Sequence, residues 1–405
     1  LEGGGAREGQ GMSALPDLFP GFAERRIETA RGIAIHVRTG GAGPALLLLH
    51  GYPETKRIWW RNITALADAG YEVIAPDLRG HGDSELSQAD VYDIAAYSRD
   101  VYLLVHDVLG HERCGVVGGD VGGVVAVDLL HRYPGFVEKL VFFDTVPPLV
   151  FDDFIAAGID PAAVLSDGPT GDYRQRQGQT PDALAAELDT PAKRRRYVGE
   201  MYGHRLWASP GTFGPADVDF MTEPFGTEER LRAGWAVYQL AYGRPVSEPP
   251  IMDRKVDVPT LILYGMDDHV VGPEFLHTCE VAFTNRTGPV VLPGAGHFLQ
   301  WERADLFNAL VIAFFGDLRA ARGRPAGDVA VGLLPSAVPR YAGALAARVG
   351  EHLPGVRLHL VEGASAQLEE QLRDGRLDMA VVLREDLADI GDERLLARVP
   401  LYLVG

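Results

Sequence analysis

The run Val116-Val117-Gly118-Gly119-Asp120-Val121-Gly122-Gly123 constrains this chain more than any other stretch. An apolar strand meets an acid set among glycines, and an apolar helix start follows at once. A turn of that kind lifts one side chain out between strand and helix, and glycines let the surrounding backbone approach closely enough. An Asp at a helix start is also what simple capping would give, but a cap does not need three glycines around it. The lifted residue is Asp120. An ionised carboxylate at a helix N-terminus is favoured by the helix dipole and needs no base to become a nucleophile.

The remainder of the chain supplies the sheet that such a turn needs. Apolar runs at 45–49, 71–75, 114–117, 140–143 and 261–264 lead into Gly, His or Asp, and helix-length amphipathic segments alternate with them from about residue 23. That is the pattern of parallel strands buried between helices, which bind ligands at the strand C-termini. From Pro147 to about Val256 the strand signal gives way to aromatic, helix-like stretches at 192–207 and 228–242, with turns at Ser209-Pro210 and Pro249-Pro250. Strand signal returns at 259–265 and 289–293, and a last helix is predicted over 304–320. The expected class is α/β, a mostly parallel sheet flanked by helices with a helical cap, followed by a small α/β fragment. The boundaries read as a tail over 1–22, a core over 23–146 and 257–320, a cap over 147–256 and a further module over 327–405.

Composition excludes several other functions. Apolar residues make up 46% and charged residues 23%, which argues against disorder. With 38 basic against 56 acidic residues the net charge is -18, so no global positive field attracts nucleic acid or an anionic membrane. Cys114 and Cys279 are too few for a disulfide scaffold and lack metal-site spacing, which suits a reducing cytoplasm. The stretch 1–10 is Gly- and charge-rich with no apolar run, and no 18-residue apolar stretch exists, so neither a signal peptide nor a membrane span is expected. No metal or organic cofactor is expected.

A general base and its partner can also be read. His297, in Pro293-Gly294-Ala295-Gly296-His297-Phe298, follows a predicted strand and can face the strand ends. Two acids compete to orient it, Asp268 in Gly265-Met266-Asp267-Asp268 and Asp144 in Phe143-Asp144-Thr145-Val146-Pro147. Asp268 is favoured, because Asp120, Asp268, His297 is the chain order of nucleophile, acid and base in a strand–turn–helix hydrolase.

Together with His50-Gly51-Tyr52-Pro53-Glu54-Thr55, Trp59 and Asp77-Leu78-Arg79-Gly80-His81-Gly82-Asp83-Ser84, these residues resemble the α/β-hydrolase superfamily over 23 to about 318. The H-G-x-P-E-T opening with an Asp elbow looks most like epoxide hydrolases, with haloalkane and haloacetate dehalogenases as close relatives. Attack of a carboxylate on a carbonyl ester would give an anhydride, whereas attack on an sp³ carbon gives an alkyl ester that water can cleave. Asp120 therefore argues against an ordinary esterase. His297 would then activate water, and the backbone N–H groups of Tyr52 and Val121 would hold the oxyanion. The implied partners are water and a small apolar epoxide or halogenated substrate, with a homodimer left open. A ligand-binding or regulatory protein on the same fold is the non-enzyme alternative, which the complete Asp120, Asp268 and His297 set disfavours.

The cap decides what leaves. Epoxide opening needs an acid for the alkoxide, which the resemblance supplies as two cap tyrosines. Tyr238, in Trp235-Ala236-Val237-Tyr238, resembles the second and Tyr173, in Tyr173-Arg174-Gln175, the first, with Tyr202 and Tyr242 as rivals. Haloalkane dehalogenases usually carry Trp after the nucleophile and Asn after His-Gly; here those positions are Val121 and Tyr52. Fluoroacetate dehalogenases resemble the Phe143–Pro147 stretch but place arginines just after the nucleophile, where this chain has Val121 and Val124. Trp207, Phe213, Phe220 and Phe225 suggest an apolar substrate or a cap core. His81, Trp59 and Trp60 read as scaffold, and Glu54 as a helix N-terminal residue.

After a composition shift at Arg322, Val329–Gly332, Pro335, Leu353-Pro354-Gly355, Glu362-Gly363-Ala364-Ser365, Leu372-Arg373-Asp374-Gly375 and Pro400-Leu401 resemble the first part of a LysR-type effector-binding domain. With one subdomain and no helix-turn-helix, this segment is expected to fold poorly alone and to carry no transcriptional function.

Overall fold

The computed structural model describes residues 21–29, 32–160, 172–203, 207–320, 326–352 and 355–382. Two compact units divide the chain, Leu1–Arg319 and Ala320–Gly405.

The first unit is built on eight strands: β1 (Phe22–Glu28), β2 (Ala34–Gly41), β3 (Ala45–Leu49), β4 (Glu72–Pro76), β5 (Cys114–Gly119), β6 (Val137–Phe143), β7 (Thr260–Gly265) and β8 (Arg286–Leu292), in the order β1-β2-β4-β3-β5-β6-β7-β8. From β4 to β8 every pairing is parallel; β1–β2 and β2–β4 are antiparallel. All five residues of β3 and all six of β5 and of β7 are buried, as continuous apolar runs must be when helices cover both faces. The pleat splits them between two cores. Leu47, Leu49, Val116, Phe142 and Ile262 join one, while Leu46, Leu48, Val117, Phe143 and Leu263 join the other.

Six strands lie where apolar runs predict them. The β1–β2 hairpin has no such run, because β1 is an edge strand whose Ala23, Glu24, Arg25 and Arg26 are exposed. Among the helices, α1 (Ile63–Asp68) follows β3, α2 (Ile94–Tyr102) is capped by the Asp93 carboxylate on the Ala96 N–H at 2.8 Å, and α3 (Asp120–Arg132) begins at the residue after β5. Ser98 of α2 donates to the Val125 carbonyl of α3 at 3.3 Å. Among the described residues between β6 and β7 no named strand occurs, and helices run Phe151–Ala156, Asp172–Gln179, Pro181–Glu187, Pro191–Gly203, Pro215–Thr222 and Glu228–Gln239. Tyr173, Met201, Trp207, Leu231 and Trp235 from this region join the second core, so the cap is packed onto the sheet's own apolar face. The final helix runs Ala304–Ala320.

The second unit is a parallel three-stranded sheet of β9 (Ala326–Leu333), β10 (Gly355–Glu362) and β11 (Met379–Val381), ordered β10-β9-β11, with helices Gly343–His352 and Ser365–Arg373. Val331, Leu333, Leu334, Ala337, Leu368 and Leu377 form its core. It is thus a packed unit, though a core so small is marginal by itself. Leu353-Pro354 and Pro400-Leu401 fall outside the described residues.

Candidate active site

Asp120 sits where β5 turns into α3, at φ +46°, a left-handed conformation that costs an Asp on the order of 1–3 kcal/mol. Its neighbours hold it there. A Cβ on Gly122 would lie 2.3 Å from the Leu49 carbonyl, and one on Gly51 would lie 2.5 Å from Asp120 Cβ, so both positions require glycine for close approach. Asp144, after β6, shares the left-handed conformation at φ +40°. Its carbonyl accepts the Asp120 N–H at 3.2 Å, and the Thr145 hydroxyl donates to the Asp120 carbonyl at 2.5 Å. Two strained turns at the ends of adjacent strands thereby lock each other.

The Asp120 carboxylate accepts the Tyr52 N–H at 2.7 Å on Oδ1 and is also held by the Val121 N–H. The N–H groups of Tyr52 and Val121 thus converge on one carboxylate. Oδ2 lies 3.3 Å from His297 Nε2, and His297 Nδ1 lies 3.0 Å from Asp268 Oδ2. The imidazole and the Asp268 carboxylate are 1% and 0% exposed, whereas the Asp120 side chain keeps 17%, which leaves Asp120 alone of the three accessible. Asp268 is itself fixed by the Val270 N–H at 2.7 Å and the Val271 N–H at 3.2 Å.

Asp144 is directed elsewhere. Its carboxyl oxygens face the Gly265 N–H at 3.0 and 3.3 Å, and burial, reinforced by the nearby Asp268 charge, pushes its pKa well above the usual carboxylate range. Asp144 thus spends its carboxyl on the Gly265 backbone, while Asp268 is the acid that meets His297 Nδ1. Burial acts against the charge of Asp120 too, but His297 and the Tyr52 and Val121 N–H groups outweigh it and leave that pKa below the usual range. For His297 burial is outweighed by Asp268 and then Asp120, so its pKa stands well above that of an ordinary histidine.

Both expected cap tyrosines reach this site. The Tyr173 and Tyr238 rings lie 5.4 Å apart, and the charge of Asp120 acts on both hydroxyls. Burial is the main cause that raises both phenol pKa values, so each keeps its proton. An aromatic wall continues from Tyr52 through Tyr238, Tyr173 and Trp207 to His297, with ring centroids 4.7 to 5.5 Å apart. Tyr202 donates to the Pro53 carbonyl, and the Asp120 charge acts on its hydroxyl as well, whereas Tyr242 is 49% exposed. Of the cap aromatics only Trp207 touches the catalytic residues. Phe213 stacks on Trp301, Phe220 on Trp301 and Trp60, and Phe225 is buried in the core.

Several features were not legible in the motifs. Glu54 precedes the helix at Lys56–Arg61, which Thr55 caps, and is not one of its N-terminal residues. It is 3% exposed and accepts the Gly51 N–H at 2.5 Å and the Gln300 amide at 2.8 Å, while burial pushes its pKa up to about 7. Arg174 donates to the Tyr173 hydroxyl at 3.1 Å and to the Val270 carbonyl at 3.3 Å, which places a cation by the site although Val121 and Val124 supply none. Only its position beside Tyr173 hinted at this. The scaffold residues behave as read: Trp59 is buried against Phe143 and Phe307, Trp60 packs under Arg38, and His81 is buried with Nδ1 on the Arg79 carbonyl. Both cysteines are buried and unlinked. Among the described residues no helix is long and apolar enough to cross a membrane.

Comparison with known proteins agrees with this architecture. A family model described as the alpha/beta hydrolase fold matches residues 44–304, and one described as the LysR substrate binding domain matches 322–405. Epoxide hydrolase A of Mycobacterium tuberculosis is 30% identical over 335 residues, covering 73% of this chain and 98% of its own length. The soluble epoxide hydrolase of a Corynebacterium strain is 29% identical over 293 residues, 71% of this chain and 96% of its own. The solved epoxide hydrolase CorEH, without ligand, superposes with a TM-score of 0.62 at 25% identity, covering 74% of this chain and all of that one. The chain belongs to the α/β hydrolase fold family, as an epoxide-hydrolase-like enzyme with a LysR-substrate-domain segment behind its catalytic unit.

Proposed function

We propose that the protein hydrolyses small apolar epoxides to vicinal diols through an ester on Asp120. The observation that carries this reading is the pairing of a part-exposed carboxylate with two protonated cap tyrosines, the buried Tyr173 and the half-buried Tyr238, on whose hydroxyls the Asp120 charge acts. An Asp120 oxygen attacks an epoxide carbon, the carbon–oxygen bond of the ring breaks, and a tyrosine hydroxyl gives its proton to the departing alkoxide. His297 Nε2 then takes a proton from water, and the hydroxide attacks the carbonyl carbon of the ester. The Tyr52 and Val121 N–H groups hold the oxyanion, a contribution of roughly 3–4 kcal/mol. Collapse frees the diol and restores the carboxylate, and the imidazolium returns its proton to the tyrosine. Proton transfer of this sort contributes on the order of 10² to 10⁴ in rate. Asp268, on Nδ1, holds the tautomer and stabilises the imidazolium.

The relatives named epoxide hydrolases support the same class. Replacing His297 by Gln should stop the second half-reaction and strand the first. Intact-mass spectrometry of that variant after exposure to styrene oxide is expected to find the whole epoxide mass added, mapping to Asp120. An alkyl adduct with bromide release from a bromoalkane, and none from the epoxide, would replace this reading by a dehalogenase. Absence of any adduct, with a substrate the parent enzyme turns over, would remove the covalent mechanism.

A further inference from the structure

The short helix Leu299–Glu302 that follows the His297 loop turns one carboxylate back onto it. Glu302 is 8% exposed, and Oε2 accepts the Gly296 N–H at 3.0 Å while Oε1 accepts the Phe298 N–H at 2.9 Å. These are the peptide groups on either side of His297. The same Oε2 accepts the Ser209 N–H at 2.6 Å and the Thr212 hydroxyl at 3.1 Å, both from the cap. The remaining N–H of the loop, that of His297 itself, donates to the Trp207 carbonyl at 2.6 Å, and the Trp207 ring stands 5.5 Å from the imidazole. One buried carboxylate therefore gathers three backbone N–H groups and a hydroxyl at the point where cap and histidine loop meet. Such an arrangement requires an acceptor at both oxygens; an amide would set its NH₂ against a backbone donor.

We propose that Glu302 is a positioning residue for ester hydrolysis, holding the His297 imidazole between Asp268 and the Asp120 ester and tying that alignment to the Trp207–Ser209 segment of the cap. The inference rests on the covalent reading above and assigns Glu302 to its second half only. Among the described residues Glu302 makes no hydrogen bond to Tyr52, Val121, Asp144 or Thr145, or to the helices Asp172–Gln179 and Glu228–Gln239 that carry Tyr173 and Tyr238, and it reaches Asp120 through His297 and through its charge near Asp144. Alkylation, for which Tyr52 and Val121 still hold the Asp120 carboxylate, is thus less sensitive to Glu302 than base catalysis, which depends directly on imidazole placement, where a shift of about 1 Å can cost on the order of 10²-fold.

The test is quenched-flow intact-mass spectrometry of full-length Glu302→Gln with styrene oxide, read as the rate of adduct formation and the rate of its decay per alkylated chain. Chains that fail to fold form no adduct and drop out of the second rate. Adduct formation within about threefold of the parent, with decay slowed about 10²-fold so that the ester accumulates, is the expected result. Thr212→Val, which removes one donor and leaves the carboxylate in place, should show the same imbalance at roughly fivefold. Decay at the parental rate in both variants, or formation and decay slowed equally, would overturn the proposal. His297→Gln run alongside keeps the two readings apart: an adduct there without accumulation in the Glu302 variant sinks the positioning role alone, and no adduct there sinks the covalent mechanism.

Discussion

Asp120 and His297 set each other's protonation, and that has a kinetic consequence. In the resting site the carboxylate pKa lies below its usual range and the imidazole pKa well above its own, so the pair stands as carboxylate and imidazolium. On the proposed mechanism esterification removes the Asp120 charge, one of the causes that raise the imidazole pKa, so that pKa falls while Asp268 continues to hold it up. Alkylation should therefore persist down to the ordinary carboxylate range, whereas ester hydrolysis is lost as pH falls through the imidazole range. Acid-quenched mass spectra taken at about pH 5 and pH 8 should find the ester accumulating at the lower pH; parallel loss of both steps would contradict this order of protonation. The linkage to stability has two signs. The raised His297 pKa contributes stability that is complete below the ordinary histidine range and is lost as pH rises through the folded value, whereas the depressed Asp120 pKa contributes above the ordinary carboxylate range and is lost as pH falls. At this scale Asp120, Asp268 and His297 were legible because each sits in a short glycine-rich context. Glu54, Arg174 and Glu302 were not, since their partners lie on distant parts of the chain.

The loop after β4 belongs to the scale of elements. Asp77, fully buried, accepts the Lys56 N–H at 2.8 Å, the Lys56 ammonium at 2.6 Å and the Asp83 N–H at 2.9 Å. Lys56, 2% exposed, also reaches Asp83 at 2.6 Å. Burial raises the Asp77 pKa, but Lys56 and then His50 outweigh it and bring it down to about 2. His50 in turn accepts the Leu78 N–H at 2.9 Å, so the segments His50–Thr55 and Asp77–Ser84 form one polar brace that seats the Tyr52 N–H against Asp120. Lys56→Met would leave a buried carboxylate without its cation and should cost about 3–5 kcal/mol, read as a lowered midpoint in urea unfolding. A loss below about 1 kcal/mol would place the brace among ordinary surface ion pairs. Element positions followed from apolar runs for β3 to β8. They failed at β1, an edge strand with Ala23–Arg26 exposed, and at β2, whose Arg38–Gly41 half carries no apolar run, and the sequence held no mark of the Asp144 turn as the lock on Asp120.

Every group assigned to the site lies between Tyr52 and Glu302, inside the first compact unit, and the hydrolase family match ends at residue 304. A chain ending at Ala320 should accordingly keep kcat/KM within roughly twofold of the full chain, as expected of a unit with its own core. Loss of activity on truncation, with the melting transition retained, would assign the second unit a part in catalysis. The excess of acidic residues adds nothing to the site, whose charges are paired locally; it bears on solubility and on which surfaces the molecule avoids. Local sequence was enough to set the fold and to place an acid at a glycine-bound elbow, because apolar periodicity and such a turn act over a few neighbouring residues. The folded chain alone puts Asp268 rather than Asp144 against His297, seats the Tyr202 hydroxyl on Pro53 while Tyr242 stays exposed, and brings Glu302 under the histidine loop. Those choices depend on distance and burial, and residues far apart along the chain acquire both only when strands, turns and cap close on a common core.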